Sequence, residues 1–222
     1  MAPRVVNLTV HGVGPTSRAL EPGEDRTWVT VEQFEQVLDA VVGRPDVRIT
    51  FDDGNASDIE IGLPRLLERG LSAEFFVLAG KLGEPGRLTR QDVKELVAAG
   101  MRIGSHGWAH RDWRRIDERQ AAEEMGDSPR VLEDVSGQPI TTVAIPFGSY
   151  DRHVLSRLRK AEVTRVYTSD GGRANPDSWL QARNSLHHDL GPDWIHQVLD
   201  GSDSPKLRAR RLAARVVKRL RG

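Results

Sequence analysis

No cysteine occurs among the 222 residues. Disulfides and thiolate ligands are therefore excluded, and any metal site has to be built from histidine, aspartate or glutamate, which suits zinc or a similar divalent ion. Net charge is missing too. The 32 basic residues balance 32 acidic ones, so the chain as a whole has no pull toward nucleic acid or a membrane surface. No window approaches the roughly 18 apolar residues of a spanning helix. The short apolar run after Arg4 ends at His11-Gly12 without a small-residue cleavage site, so no signal peptide is expected. These absences lead to the expectation of a soluble, cytoplasmic protein, with which the lack of cysteine is compatible without requiring it.

The chain is long enough for one substantial core, and strand-like and helix-like segments alternate along it. Val5 to Val10, Val47 to Phe51, Ala73 to Ala79, Met101 to Gly104, Thr142 to Ile145 and Val163 to Thr168 read as strands. Between them, Val31 to Val42 carries apolar residues at helical spacing, with Thr30 and Gln33 placed for a capping box. Ile59 to Arg69, Thr89 to Ala99, Ala121 to Ser136 and His153 to Ala161 read as further helices, with Gly70 and Gly100 as stop signals. This alternation predicts a parallel sheet, open or closed into a barrel, with functional residues at the C-terminal strand edges. Asp52-Asp53, His106 and Pro146-Phe147-Gly148 occupy such positions.

Two adjacent carboxylates are difficult to keep ionised together without a cation. If a metal takes one of Asp52 and Asp53, the other can serve as a base; read alone, Asp-Asp-Gly is equally an ordinary solvated turn. His106 and His110 are spaced so that two imidazoles can share one side of a turn or compact loop. Two imidazoles and one carboxylate leave a coordination position for water, the pattern of a catalytic rather than a structural zinc site.

In combination these segments resemble a known family. Ile49-Thr50-Phe51-Asp52-Asp53-Gly54, Ser105-His106-Gly107-Trp108-Ala109-His110 and Ala144-Ile145-Pro146-Phe147-Gly148 are similar, in that order, to the three signatures of the NodB-homology polysaccharide deacetylases, carbohydrate esterase family 4. The likeness extends over roughly residues 5 to 190. It implies a distorted (β/α) barrel of about seven strands and removal of the N-acetyl group of an amino sugar with release of acetate. It further implies Asp52 as catalytic base and Asp53, His106 and His110 as ligands of a divalent ion, most simply Zn2+. Phe147 would offer a backbone N–H to the oxyanion above a floor of Pro146 and Gly148.

The sequence departs from the family pattern in two places. Gly107 stands where members usually carry a Ser or Thr whose hydroxyl braces the histidine loop, and Ala144 stands where many carry an Arg that supports the base. Leu180-Gln181-Ala182-Arg183 resembles a later segment that supplies this Arg in some members, making Arg183 the candidate replacement. The family's late proton-donating histidine is sought at His187 or His188. Strand parity with Arg183 and Ser185 favours His187. His11 either approaches the same cavity or is satisfied by backbone in its glycine turn. Trp108, Trp113 and Tyr150 are candidates for stacking on a sugar ring, with core packing as the alternative for the tryptophans.

The expected substrate is an N-acetylated sugar or oligosaccharide, lipid- or nucleotide-linked if the protein is intracellular. The alternatives are an amide or imide hydrolase for a non-sugar molecule and a non-catalytic glycan-binding homologue. The deacetylase domain is expected over 1–205. The segment 206–222 carries eight basic and no acidic residues, with Leu207, Ala214, Val217 and Leu220 as an apolar stripe if it is helical. It reads either as a solvated terminal helix packed on the domain or as a peripheral membrane anchor.

Overall fold

In strand-forming segments successive side chains point to opposite faces, and here the two faces meet different surroundings. A computed structural model describes residues 4–16, 18–201 and 204–221. In β1 (Val5–Val10), Val6, Leu8 and Val10 enter the main apolar core, while Asn7 and Thr9 face the other way into buried polar contacts. β2 (Gly12–Val13) and β3 (Trp28–Val29) form a separate two-stranded pair. The central sheet runs on through β4 (Val47–Asp52), β5 (Ala73–Val77), β6 (Arg102–Ser105), β7 (Thr142–Ala144) and β8 (Arg165–Thr168), all parallel. β9 (Arg173–Ala174) pairs antiparallel with the start of β1.

β10 (Leu180–Ala182) pairs with β8, and β11 (Asn184–Ser185) pairs with β1 at the opposite edge of the sheet. The two edges are therefore consecutive in sequence, separated only by Arg183. The sheet closes into a barrel through that one residue. Counted as one interrupted strand, β10 and β11 complete the seven expected from the family resemblance.

Helices surround the sheet: α1 (Val31–Val41), α2 (Leu63–Glu68), α3 (Arg90–Ala98), α4 (Glu118–Ala122), α5 (Ser128–Ser136), α6 (Arg152–Lys160), α7 (Pro192–Asp200) and α8 (Pro205–Leu220). The Thr30–Gln33 capping box forms as read, and Thr89 makes a second one with Asp92. Two helices expected to be continuous are instead interrupted by π-helical turns, at Asp58–Gly62 and Glu123–Asp127. Each turn carries a fully buried carboxylate, Asp58 and Glu124, and such irregularities frequently mark functional sites.

The basic tail is α8. It docks through its polar side, with Lys218 Nζ donating to Gly148 O at 3.0 Å and to Asp170 Oδ1 at 2.8 Å. Val217 and Leu220, in the stripe read either as packed on the domain or as a peripheral anchor, are exposed. No helix among the described residues is long and apolar enough to cross a membrane.

Candidate active site and metal centre

The C-terminal ends of β4, β6 and β7 converge, and each leads into an unusual backbone turn. Asp53, His110 and Phe147 adopt φ of 75°, 58° and 58°, left-handed conformations that disfavour residues other than glycine. Such strain costs of order 1–3 kcal/mol per residue and persists only where the surroundings enforce it. Here it turns side chains from three strand ends toward one cavity of about 300 Å3.

Asp53, His106 and His110 each present a ligand atom to that cavity, all within 4.8 Å of one another. His106 Nδ1 lies 2.8 Å from Ala144 O, and a carbonyl can only accept, so the Nδ1 proton is fixed there and Nε2 carries the lone pair. That Nε2 faces Asp53 Oδ1 at 3.4 Å, and His110 Nε2 faces the same oxygen at 3.6 Å. Asp53 Oδ1 is buried and accepts no hydrogen bond. Burial pushes the His110 imidazole down to about 4, only partly opposed by Asp53, so it is neutral near pH 7. A buried carboxylate oxygen without a donor, facing two imidazole nitrogens, is an arrangement that a divalent cation satisfies.

Asp52 lines the same cavity, its Oδ2 3.8 Å from His106 Nε2, but is held by a different partner. Arg183 Nη1 and Nη2 donate to its two oxygens at 2.6 Å each, and Nη1 also donates to Thr50 Oγ1 at 3.1 Å. The pair is sealed, with side-chain exposures of 1% for Arg183 and 2% for Asp52. Burial alone would raise the carboxyl; the charges of Arg183, then His106, outweigh it and bring Asp52 down to about 2. The Arg missing at 144 is thus matched by one arriving from the barrel seam. Asp58 behaves oppositely: burial, then the Asp53 charge, push it well above the carboxylate range.

Gly107 also finds its reason. Its φ is 89°, and a Cβ there would lie 2.1 Å from Glu124 Oε2. Glu124 accepts from the backbone N–H groups of Trp108 and Ala109 and from Trp113 Nε1, while Ser128 Oγ donates to Gly107 O. The histidine loop is braced by a carboxylate from the π-helical turn, and no local pattern points to it, since Glu124 lies 14 positions beyond His110 and 17 beyond Gly107. Only the carboxyl's complete burial gives it away.

Other expected site residues fall differently. Phe147 stands at the cavity rim, 62% exposed, its ring centroid 4.2 Å from that of His110. Pro146 and Gly148 are buried beneath it, and Gly148 N is already donating to Ile145 O. Tyr150 does not line the cavity: it is buried, its hydroxyl donating to Asp170 Oδ2 at 2.8 Å. Trp113 is likewise core, and Trp108 packs against the main apolar cluster. His187 is exposed in a neighbouring depression. Strand parity misplaced it because β11 ends at Ser185 and the chain then turns, Leu190 N donating to His187 O. His188 Nδ1 lies 3.2 Å from Arg26 O at the surface. The histidine inside the cavity besides the two ligand candidates is His11, whose Nδ1 is buried without a hydrogen-bond partner. One wall comes from Glu21–Thr27, a segment given no role in the sequence reading.

The family model described as Polysaccharide deacetylase matches residues 39–166, more than half of the chain. The chain belongs to the polysaccharide deacetylase family. Among its relatives, the Bacillus subtilis (strain 168) protein YxkH, named as a polysaccharide deacetylase, is 29% identical over 136 residues, covering 61% of this chain and 49% of its own length. The Listeria monocytogenes peptidoglycan-N-acetylglucosamine deacetylase PgdA is 26% identical over 113 residues, covering 50% of this chain and 23% of its own. The chain thus spans about half or less of these two relatives. The fold matches that of BC0361, a polysaccharide deacetylase from Bacillus cereus, with a TM-score of 0.77 at 20% identity over 89% of this chain and 69% of the other. It also matches Streptococcus pyogenes deacetylase PplD, with a TM-score of 0.75 at 20% identity over 89% and 98%.

Proposed function

We propose that the protein is a divalent-metal-dependent N-deacetylase acting on an N-acetylated sugar or glycan, with Zn2+ as the ion. The observation that carries this reading is the division of labour between neighbours: Asp53 shares a ligand cluster with two imidazoles, while Asp52 is held apart by Arg183. The relatives' printed names as peptidoglycan and polysaccharide deacetylases, and the acetate in the PplD structure, agree with the chemistry.

Asp53, His106 and His110 would hold a divalent ion, which when bound would supply a water of lowered pKa and polarise the acetamide carbonyl. Asp52, kept ionised by Arg183, accepts the proton as water attacks the acetyl carbon. The Phe147 N–H, at the cavity rim, donates to the developing oxyanion, where one such donor is typically worth about 10²–10³ in rate. His11 takes the late-histidine role from His187: burial lowers its pKa and keeps the resting imidazole neutral, so the proton it passes to the departing amine is the one Asp52 took from the water, and acetate and a free amino sugar leave.

The reading is tested by mass-resolved assay of N-acetylglucosamine oligomers with metal-loaded protein. Loss of one acetyl mass, abolished by chelator and restored by Zn2+, is expected. Turnover only of non-sugar amides would move the substrate to the alternative class, and stoichiometric metal without turnover would make the chain a binding homologue.

A further inference from the structure

A second cavity, of about 610 Å3, lies where α8 crosses the loop into β9, and Arg4, Arg173, Arg208, Arg211 and Arg215 line it. None of its described lining residues is acidic. Like charges gathered around one space repel one another, and a protein surface with zero net charge has ample room to disperse them. The guanidinium groups are nonetheless anchored there by backbone carbonyls: Arg215 Nη2 to Gly171 O, Arg173 Nη2 to Leu199 O, and Arg208 Nη2 to Gly201 O at 2.7 Å. Among the described carboxylates, only Asp46 pairs with any of Arg4, Arg173, Arg208 and Arg215, reaching Arg173 at 3.4 Å while also paired with Arg44.

Two features make this a shaped site rather than a basic surface. The Nε atoms of Arg173 and Arg215 are buried without a hydrogen-bond partner. Gly171 and Gly201 leave space beside the guanidinium groups: a Cβ at either would come within 2.9 Å of Arg211 Nε or Arg173 Nε respectively. The rim is apolar. Leu212 lines the cavity at 62% exposure, and Val216 and Leu220 continue its row along α8, also exposed.

We propose that this cavity is a binding site for a phosphoryl group, either the headgroup of an anionic lipid or the phosphate of a soluble ester. Planar guanidinium forks match phosphate oxygens two at a time, which lysines or dispersed charge would not do. The exposed row Leu212, Val216 and Leu220 lies where the hydrocarbon of a lipid would run. The site is separate from the metal centre and does not rest on the deacetylase reading.

The test uses the full chain and the rim pair R4Q/R208Q, two exposed positions outside the catalytic machinery. R90Q/R130Q, exposed on other helices, is the control. Binding is measured by calorimetry with inorganic pyrophosphate, whose contact with the metal centre would be common to all variants. It is also measured by co-sedimentation with phosphatidylcholine vesicles with and without roughly one-fifth phosphatidylglycerol. Wild type should bind saturably in at least one arm, more weakly as salt is raised, and R4Q/R208Q should weaken that binding about tenfold or more. R90Q/R130Q should leave it unchanged, and acetate release from a neutral N-acetylated oligomer should be unchanged in both pairs. Binding to anionic vesicles without pyrophosphate assigns the phosphoryl group to a lipid; pyrophosphate binding without vesicle binding assigns it to a soluble ester. No saturable binding in either arm, or equal loss in the two variant pairs, overturns the proposal whatever the enzyme turns over.

Discussion

The Asp52–Arg183 pair supplies the sharpest energetic test. Replacing Arg183 with Met keeps a long apolar stem while removing the charge, leaving a buried carboxylate whose two hydrogen-bond donors have gone. Removing one partner of a buried pair typically costs about 3–5 kcal/mol, which at about 2–4 °C per kcal/mol for a domain of this size lowers Tm by about 6–20 °C. D52N should cost a comparable amount, because it strands a buried guanidinium. The double variant removes both charges, so its loss should fall short of the sum by about 2–3 kcal/mol. The pH dependence has a defined sign. Asp52 ionises at about 2 rather than the ordinary 3.8; a depressed carboxyl stabilises the fold above about pH 4, by roughly 2 kcal/mol, and that stability is lost as pH falls toward 2. In R183M burial is opposed less, Asp52 rises, and the acid limb of kcat/KM should move to higher pH. Urea melts of the four proteins and a pH–rate profile are the assays. Strictly additive losses with an unmoved acid limb would refute the coupling.

Three further outcomes follow from the same geometry. G107S should lower stability by about 2–4 kcal/mol, since its Cβ meets Glu124 and its backbone is left-handed, and should weaken metal binding; thermal melts with metal titration check this, and an unaltered Tm would remove the reason for glycine there. H11A should slow acetate release by about 10²–10⁴ while retaining metal, whereas H187A should lie near wild type; the reverse order would restore His187 as proton donor. Y150F should leave KM for the glycan nearly unchanged, because the Tyr150 hydroxyl is spent on Asp170 rather than on the cavity; a large KM increase would return it to the substrate.

What was legible in the sequence was whatever local spacing or strand ends dictate. The Thr30 and Thr89 caps, the strand leading into Asp52 and the His106–His110 turn all depend on residues within a few positions of each other. Arg183 was found because its strand segment resembles one that carries the supporting arginine, although that it closes the barrel depends on β10 and β11 pairing at opposite sheet edges. His187 failed because alternation was extended past a two-residue strand. Glu124 was not found because a π-helical turn, not a helical period, delivers it. The apolar spacing of α8 leaves packing and a peripheral anchor both open, and it does not reveal that Arg215 and Lys218 make docking contacts, since the partners they meet are carbonyls and Asp170 on distant loops. The arginine cavity joins positions 4, 173 and 208–215, which no local pattern connects.

The central claim is that Asp53, His106 and His110 hold one ion while Asp52 is reserved for the proton. Calorimetric Zn2+ titration of wild type, H106A, H110A and D52N, with acetate release measured on the same samples, tests it directly. One ion per chain should bind to wild type and D52N, both histidine variants should lose it, and among the four only wild type should release acetate. Undiminished Zn2+ binding by H106A and H110A, or full turnover by D52N, would contradict the account.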